Sequence, residues 1–213
     1  MPSKIHETVI VLDFETTGVS PDRGDRAIEI GAVMLQQGTI VDRFQSLMNP
    51  GIPINSFIEA YTGITNRMVS SAPGVEEVME KFAEFIGDTP LVAHNASFDR
   101  RFLDAEFGRI RRPRNNEFGC SLLAARRIYP EAPNHKLETL VHFKNLQTDG
   151  TFHRALADAE MTAHLWSRML EDLQQSYGLE HVSFDLMCAL CKVPKRKTAD
   201  FLNRHFHRDR RTG

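Results

Sequence analysis

A mixed α/β domain is the fold this sequence predicts, and three observations carry it: a strand of buried character near the N-terminus, a meander that continues from it, and an alternation of strands and helices thereafter. The first strand is TVIVLDF (Thr8 to Phe14), a short β-branched and aliphatic run that reads as a buried central strand and ends in polar and Gly residues. After the loop of Pro21, Asp22 and Gly24 comes AIEIGAVML (Ala27 to Leu35). Gln37-Gly38 then reads as a turn into IVDRFQSLM (Ile40 to Met48), and Asn49, Pro50 and Gly51 close the meander.

Helical spacing begins with Val75, Val78, Met79, Phe82 and Ile86, behind a Pro73 that suits a first helical turn, and this helix ends near Gly87. PLVAH (Pro90 to His94) is the next strand. It leads into a helix whose Phe98, Phe102 and Leu103 face inward. Leu156, Ala159, Ala163, Trp166, Leu170 and Leu173 mark a long amphipathic helix, the last strong element of the main domain. Three early strands in a meander, followed by strands separated by helices, favour a sheet with one antiparallel member over an all-parallel one. No internal repeat or low-complexity block interrupts the pattern.

The chain of 213 residues suffices for one core of about 150–200 residues with a short appendage. A domain over residues 1–175 and a basic, helical extension over 176–213 are expected. With 25% charged and 41% hydrophobic residues, the composition is that of a soluble globular protein. The longest apolar runs, such as Val9 to Leu12, fall far short of the roughly 18 residues of a membrane span, and the N-terminus has no signal-peptide h-region, so a cytoplasmic protein without membrane contact is expected. Cys120, Cys188 and Cys191 are an odd, sparse set that fits a reducing compartment. Charge is unevenly spread. From Lys192 to Gly213 eight Lys/Arg stand against two Asp, a balance of +6 that leaves −8 on the other 191 residues of a chain whose total is −2. An acidic body argues weakly against a broad nucleic-acid face, yet carboxylates gathered at a metal site would account for part of it.

Chemistry concentrates in three segments. Asp13 and Glu15 lie two apart at the end of the first strand, so the strand's period puts both on one face, about 7 Å apart at the backbone. Such hard oxygen donors suit magnesium or manganese, although solvated acids at a strand end are common. The second segment, His94-Asn95-Ala96-Ser97-Phe98-Asp99, places Asp99 in the first turn of a helix, where the dipole alone would favour an acid. The third is His153-Arg154-Ala155-Leu156-Ala157-Asp158. Five residues of regular helix rotate by about 500°, a net 140°, so the side chains of His153 and Asp158 would diverge on one helix. With His153 in the loop before the helix, both can reach one site.

Together DFETTG (Asp13 to Gly18), HNASFDRRFL (His94 to Leu103) and HRALADA (His153 to Ala159) resemble the three motifs of the DEDDh exonuclease superfamily, which includes the proofreading subunit of bacterial replicative polymerases. The resemblance runs from about Thr8 to Leu173, and no required acid is missing. It implies a ribonuclease H-like fold with a five-stranded mixed sheet flanked by helices, and hydrolysis of nucleic acid from single-stranded 3′ ends. It further implies two Mg2+ or Mn2+ ions per site, whose four positive charges would balance Asp13, Glu15, Asp99 and Asp158. By the same resemblance Asp13 bridges the metals, Glu15 and Asp158 join the first, Asp99 acts mainly through metal-held water, and His153 is the general base, a task for which imidazole is suited. Thr16, Thr17 and Gly18 would meet the terminal sugar, and Ile64 of the YTGIT segment would lie against the terminal base. Turn chemistry is an equal reading of the first three. Thr62 stands where many relatives have His or Asn. Phe98 could line the pocket, although its spacing to Phe102 favours core packing.

The resemblance ends near Ser176. Cys188 and Cys191 with His205 and His207 fit zinc poorly, since the His-x-His gap is too short and the cysteines sit in the apolar LMCALC, where packing with Leu186 and Leu190 is the better reading. Lys195-Arg196-Lys197 and Arg208, Arg210 and Arg211 could attract a phosphate backbone or form a solvated end. A DNA exonuclease is the leading reading, with a DNA polymerase or another replication or repair protein as candidate partner. An RNA-trimming exonuclease is its rival, and a non-catalytic scaffold is a third, disfavoured by the intact acids.

Overall fold

The computed structural model describes residues 8–148, 150, 152–179 and 181–212, with side chains through His205. Five strands form one sheet in the order β3-β2-β1-β4-β5: β1 (Thr8–Thr16), β2 (Ala27–Gln36), β3 (Thr39–Leu47), β4 (Leu91–Ala93) and β5 (Phe118–Cys120). β2 runs antiparallel to both β1 and β3, while β4 and β5 extend the sheet parallel to β1. This is the expected mixed sheet with one antiparallel member.

Residue parity along β1 divides the core. Val9 and Val11 point to a cluster with Trp166, Met169 and Leu173 of α7 (Ala155–Tyr177), whereas Ile10, Leu12 and Phe14 join Met79 and Phe82 of α3 (Val75–Ile86) and Phe102 of α4 (Ser97–Arg109). Burial on both faces explains why the strand is apolar without alternation. The same parity carries Asp13 and Glu15 to the face of Val9 and Val11, beneath α7.

Gly31 of β2 pairs with Asp13 across the sheet, and a Cβ there would collide with the backbone of Ala155 and Leu156. The absent side chain lets the start of α7 rest on the sheet beside Asp13. Pro73 stands outside the helix it was expected to begin. Gly74 is the cap of α3, and the Pro73 carbonyl instead accepts from the Asn49 N–H at 2.8 Å in a bridge that ties the end of the meander to the helix.

The remaining helices are α1 (Ser56–Thr62), α2 (Asn66–Ser70), α5 (Ser121–Ile128), α6 (Leu137–Phe143), α8 (Phe184–Lys192) and α9 (Thr198–Thr212). α7 runs past the expected boundary at residue 175, and Leu179, Val182, Phe184, Met187, Leu190 and Leu202 share the core of Trp166 and Leu173. The extension is thus packed on the domain. The Cys188 thiol points to the Phe118 carbonyl at 3.9 Å and the Cys191 thiol to that of Cys120 at 3.4 Å. Burial pushes the two thiols up to about 12 and about 11. The side chains of His207, Arg208, Arg210 and Arg211 lie outside the described residues. Among the described residues no helix is long and apolar enough to cross a membrane.

Candidate active site

The three segments converge at the end of β1. Asp13, Glu15 and Asp158 offer carboxylate oxygens that all lie within 4.8 Å of one another, two from the strand and one from the first turn of α7. Asp99 reaches the same place from α4. β1 and β4 pair only through Ile10 with Leu91 and Val11 with Val92, and in the gap beyond them Asp99 Oδ1 accepts the Phe14 N–H at 3.2 Å. A register shift between Glu15 and Thr16 ends the regular pairing of β1 with β2 at the site.

His153 lies in the loop before α7, with a left-handed φ of 62°, and its N–H donates to Asp158 Oδ2 at 2.9 Å. This resolves the geometric difficulty seen in the sequence, because the ring leaves the helix axis while the backbone stays tied to the carboxylate. The Tyr61 ring stands 4.0 Å from the His153 ring, centroid to centroid, and stacks in turn with exposed Phe57 at 6.0 Å.

The electrostatics are those of an acid cluster short of positive charge. Asp13 is raised well above the usual carboxylate range by burial first, then by Asp99, Asp158, Glu15 and Glu29. Burial and the charges of Asp158, Glu29 and Asp99 lift Glu15 to about 8, with Arg154 pulling the other way. Asp99 rises to about 7 and Asp158 to about 6, chiefly through burial, with backbone N–H groups opposing the rise in each. Hard oxygen donors at this spacing fit Mg2+ or Mn2+, and divalent charge would relieve the repulsion.

Glu29 is a residue the sequence reading missed. Fully buried and paired across the sheet with Glu15, it takes a two-pronged contact from Arg154, with Nη2 to Oε1 at 2.8 Å and Nε to Oε2 at 3.1 Å. It also accepts the Ala155 N–H at 3.1 Å and the Gln45 side-chain amide at 3.0 Å. α7 has no capping side chain of its own, so Glu29 caps it from β2. The signal was an acid inside the apolar run AIEIGAVML.

Other expected contacts are occupied within the fold. The Thr16 hydroxyl donates to the Gly18 carbonyl, and that of Thr17 accepts the Arg26 N–H at 3.0 Å and points to Asp25 at 3.3 Å. Gly18 leaves no room for a Cβ beside the Asp25 carboxylate. Ile64 has no exposed surface and packs with Ile28, Ile54 and Val69, whereas the nearby Tyr61 is exposed. Thr62 donates to the Ile58 carbonyl at 2.9 Å and accepts the Ile64 N–H at 3.1 Å. Phe98 is half-buried against Phe102, 5.0 Å between ring centroids. His94 holds the second segment in place: its Nε2 faces the His135 carbonyl at 2.9 Å and its Nδ1 the Ser121 hydroxyl at 2.8 Å, and burial pushes it down to about 4.

Asp13, Asp158, His153, Tyr61 and His94 border a cleft of about 1060 Å3 that Asn134, His135 and Lys136 also line.

Known proteins share the sequence and the architecture. A family model described as an exonuclease, of ribonuclease T type, matches residues 10–166. A PolC-type DNA polymerase III of Caldanaerobacter subterraneus subsp. tengcongensis is 42% identical over 174 residues, and that of Bacillus subtilis is 41% identical over 177. Each alignment covers 82% of this chain and 12% of the relative, so the chain spans about an eighth of the length of the polymerases it matches. Exonuclease X, solved in complex with 5′ overhanging duplex DNA, superposes with a TM-score of 0.66 at 28% identity, covering 86% of this chain and 99% of that one. The nuclease domain of 3′hExo, a DEDDh family member solved with rAMP, has a TM-score of 0.69 at 23% identity over 79% of this chain and 94% of that one, a likeness of fold. With the match covering most of the chain, and with the acids of all three motifs gathered at the end of β1, the protein belongs to the DEDDh exonuclease superfamily.

Proposed function

We propose that this protein is a metal-dependent 3′→5′ exonuclease that removes nucleoside 5′-monophosphates from single-stranded DNA ends. The observation that carries the reading is the cluster of Asp13, Glu15 and Asp158 oxygens within 4.8 Å, open to a cleft that His153 also borders. Asp13, Glu15 and Asp158 hold divalent cations, with Asp99 contributing from α4. Bound there, two Mg2+ or Mn2+ ions would supply Lewis acidity at the scissile phosphate and charge balance at the leaving 3′ oxygen. His153 takes the proton of the attacking water. The water oxygen bonds to phosphorus as the bond to the 3′ oxygen of the preceding nucleotide breaks. Its backbone bond to Asp158 and the Tyr61 ring against it keep the base at a fixed place relative to the acids.

DNA is preferred to RNA because the relatives at 41–42% identity are named DNA polymerases, which also makes a DNA polymerase the favoured protein partner, in the cytoplasm. The test is direct. Purified protein with Mg2+ or Mn2+ should release nucleoside 5′-monophosphates from 3′-labelled single-stranded DNA, and less from matched RNA. Faster release from RNA would make it the trimming enzyme, and no release from either with both metals would leave a scaffold.

A further inference from the structure

The cleft is lined by groups of opposite charge, and the cationic set is not accounted for by cleavage of a terminal nucleotide. Its volume of about 1060 Å3 exceeds the roughly 300–1,000 Å3 that encloses a drug-sized ligand. Besides Asp13 and Asp158, the lining carries Arg126, Lys136 and Lys195 against one further acid, Glu138. All three cations are exposed, and none has an ion-pair partner among the described residues, whereas Arg26, Arg43, Arg114 and Arg154 are each paired.

Lys195 comes from beyond the family match, which ends at residue 166. It is nevertheless held in place. Arg127, next to Arg126 on α5, donates through Nε to the Val193 carbonyl at 2.7 Å, and the Cys191 thiol points to the Cys120 carbonyl just before α5. Those contacts lay the link between α8 and α9 along α5, so Lys195 shares a wall with Arg126 as part of the folded body.

Unpaired cations lining the same cleft as a metal-type acid cluster suit a polyanion whose last phosphate sits at the acids. We propose that Arg126, Lys136 and Lys195 form a binding site for the phosphate backbone of single-stranded nucleic acid on the 5′ side of the terminal nucleotide, so that the C-terminal extension is part of the substrate-binding surface. The direction of the strand rests on the exonuclease reading above. Contacts of these three cations to phosphate carry no sequence information of their own.

Two substrates separate this site from the chemistry. The p-nitrophenyl ester of thymidine 5′-monophosphate has no upstream backbone, whereas a single-stranded oligodeoxynucleotide about ten nucleotides long spans a binding cleft of this kind. In the full chain, replacing Arg126, Lys136 and Lys195 together by Ala should raise KM for the oligonucleotide about tenfold or more while leaving ester hydrolysis unchanged. Lys195→Ala alone should give part of that effect, and Lys81→Ala, on α3, none. Fluorescence anisotropy of the labelled oligonucleotide in EDTA supplies a readout independent of catalysis. Its log–log salt dependence should be about two units less steep in the triple variant, from roughly 0.7 per lost charge. Unchanged KM and salt slope in the triple variant would overturn the proposed surface with the exonuclease assignment untouched. If the wild type cleaves neither substrate, the exonuclease reading fails, and the salt slope still decides whether this wall binds a strand.

Discussion

Glu15 and Glu29 face each other across β1 and β2, both buried, and the fold treats them in opposite ways. Glu29 is compensated by Arg154, the Ala155 N–H and the Gln45 amide. Glu15 receives no side-chain or backbone hydrogen bond among the described residues and is lifted to about 8 by burial and its acidic neighbours. A buried carboxylate with a complete set of donors is structural. One left without them, beside two others, costs stability unless a ligand supplies the charge. The contrast separates the residue that builds the site from the residues that the site is for.

The largest effect should come from the uncompensated set. Asp13→Asn and Asp158→Asn should each reduce nucleotide release below detection while melting in EDTA no lower than the wild type, because each removes a ligand and a repulsive charge together. Normal turnover by either would contradict the ligand assignment. His153→Ala should lose about 10²–10⁴-fold in kcat with metal-induced stabilisation retained, as expected of a general base. A loss of metal affinity with no separate rate defect would make it a ligand instead.

Glu29→Gln probes the other side of the comparison. It should cost about 2–3 kcal/mol in EDTA, since it loosens a buried contact and weakens the cap of α7, with Arg154 partly exposed and so only partly dependent on the pair. Denaturant unfolding would measure it. A loss equal to that of a surface substitution would show that the donors around Glu29 do not hold the fold.

How far the site was legible follows the range of the contacts involved. Strand period put Asp13 and Glu15 on one face, although it took the three motifs together to mark them as site residues, and helical geometry let His153 and Asp158 share a site only with His153 in the loop before α7, where it lies with a positive φ. Those relations span a few residues. The partner of Glu29 is 125 residues away, so the sequence offered only the anomaly of an acid in an apolar strand. Pro73 read as a helix start because its ring suits one, but the bridge to Asn49 claims its carbonyl. Thr16 and Thr17 hydroxyls fit both sugar contact and turn chemistry, and their loop hydrogen bonds are visible only when Asp25 and Arg26 are brought beside them. The extension looked separate because its charge differs from that of the body, yet Phe184, Leu190 and Leu202 carry the apolar periodicity that seats it in the core.

Acidity should sharpen the contrast in a smaller way. Glu15, Asp99 and Asp158 have folded-state values near 8, 7 and 6, above their ordinary ones, so the folded state binds more protons than the unfolded chain between about pH 4 and pH 8. Their penalty is absent below that window and grows as pH rises through it. Metal-free protein should therefore lose stability from pH 5 to pH 8, the reverse of a salt-bridged acid, and saturating metal should flatten the slope. Melting temperatures that rise over this range in EDTA would contradict the account of buried acids lacking cationic partners.

The central claim is that Asp13, Glu15 and Asp158, which have no ion-pair partner among the described residues, are left for a divalent cation, and metal-dependent stability tests it without any assumption about substrate. Thermal melts of the wild type and Asp13→Asn would be recorded in EDTA and then with excess Mn2+. Ligand that binds only the folded state stabilises by about 2.7 kcal/mol at a hundredfold excess over Kd. The wild type should therefore melt several degrees higher with Mn2+, and Asp13→Asn should show little or none of that shift. Equal shifts in the two proteins would place the stabilising metal elsewhere and contradict the account.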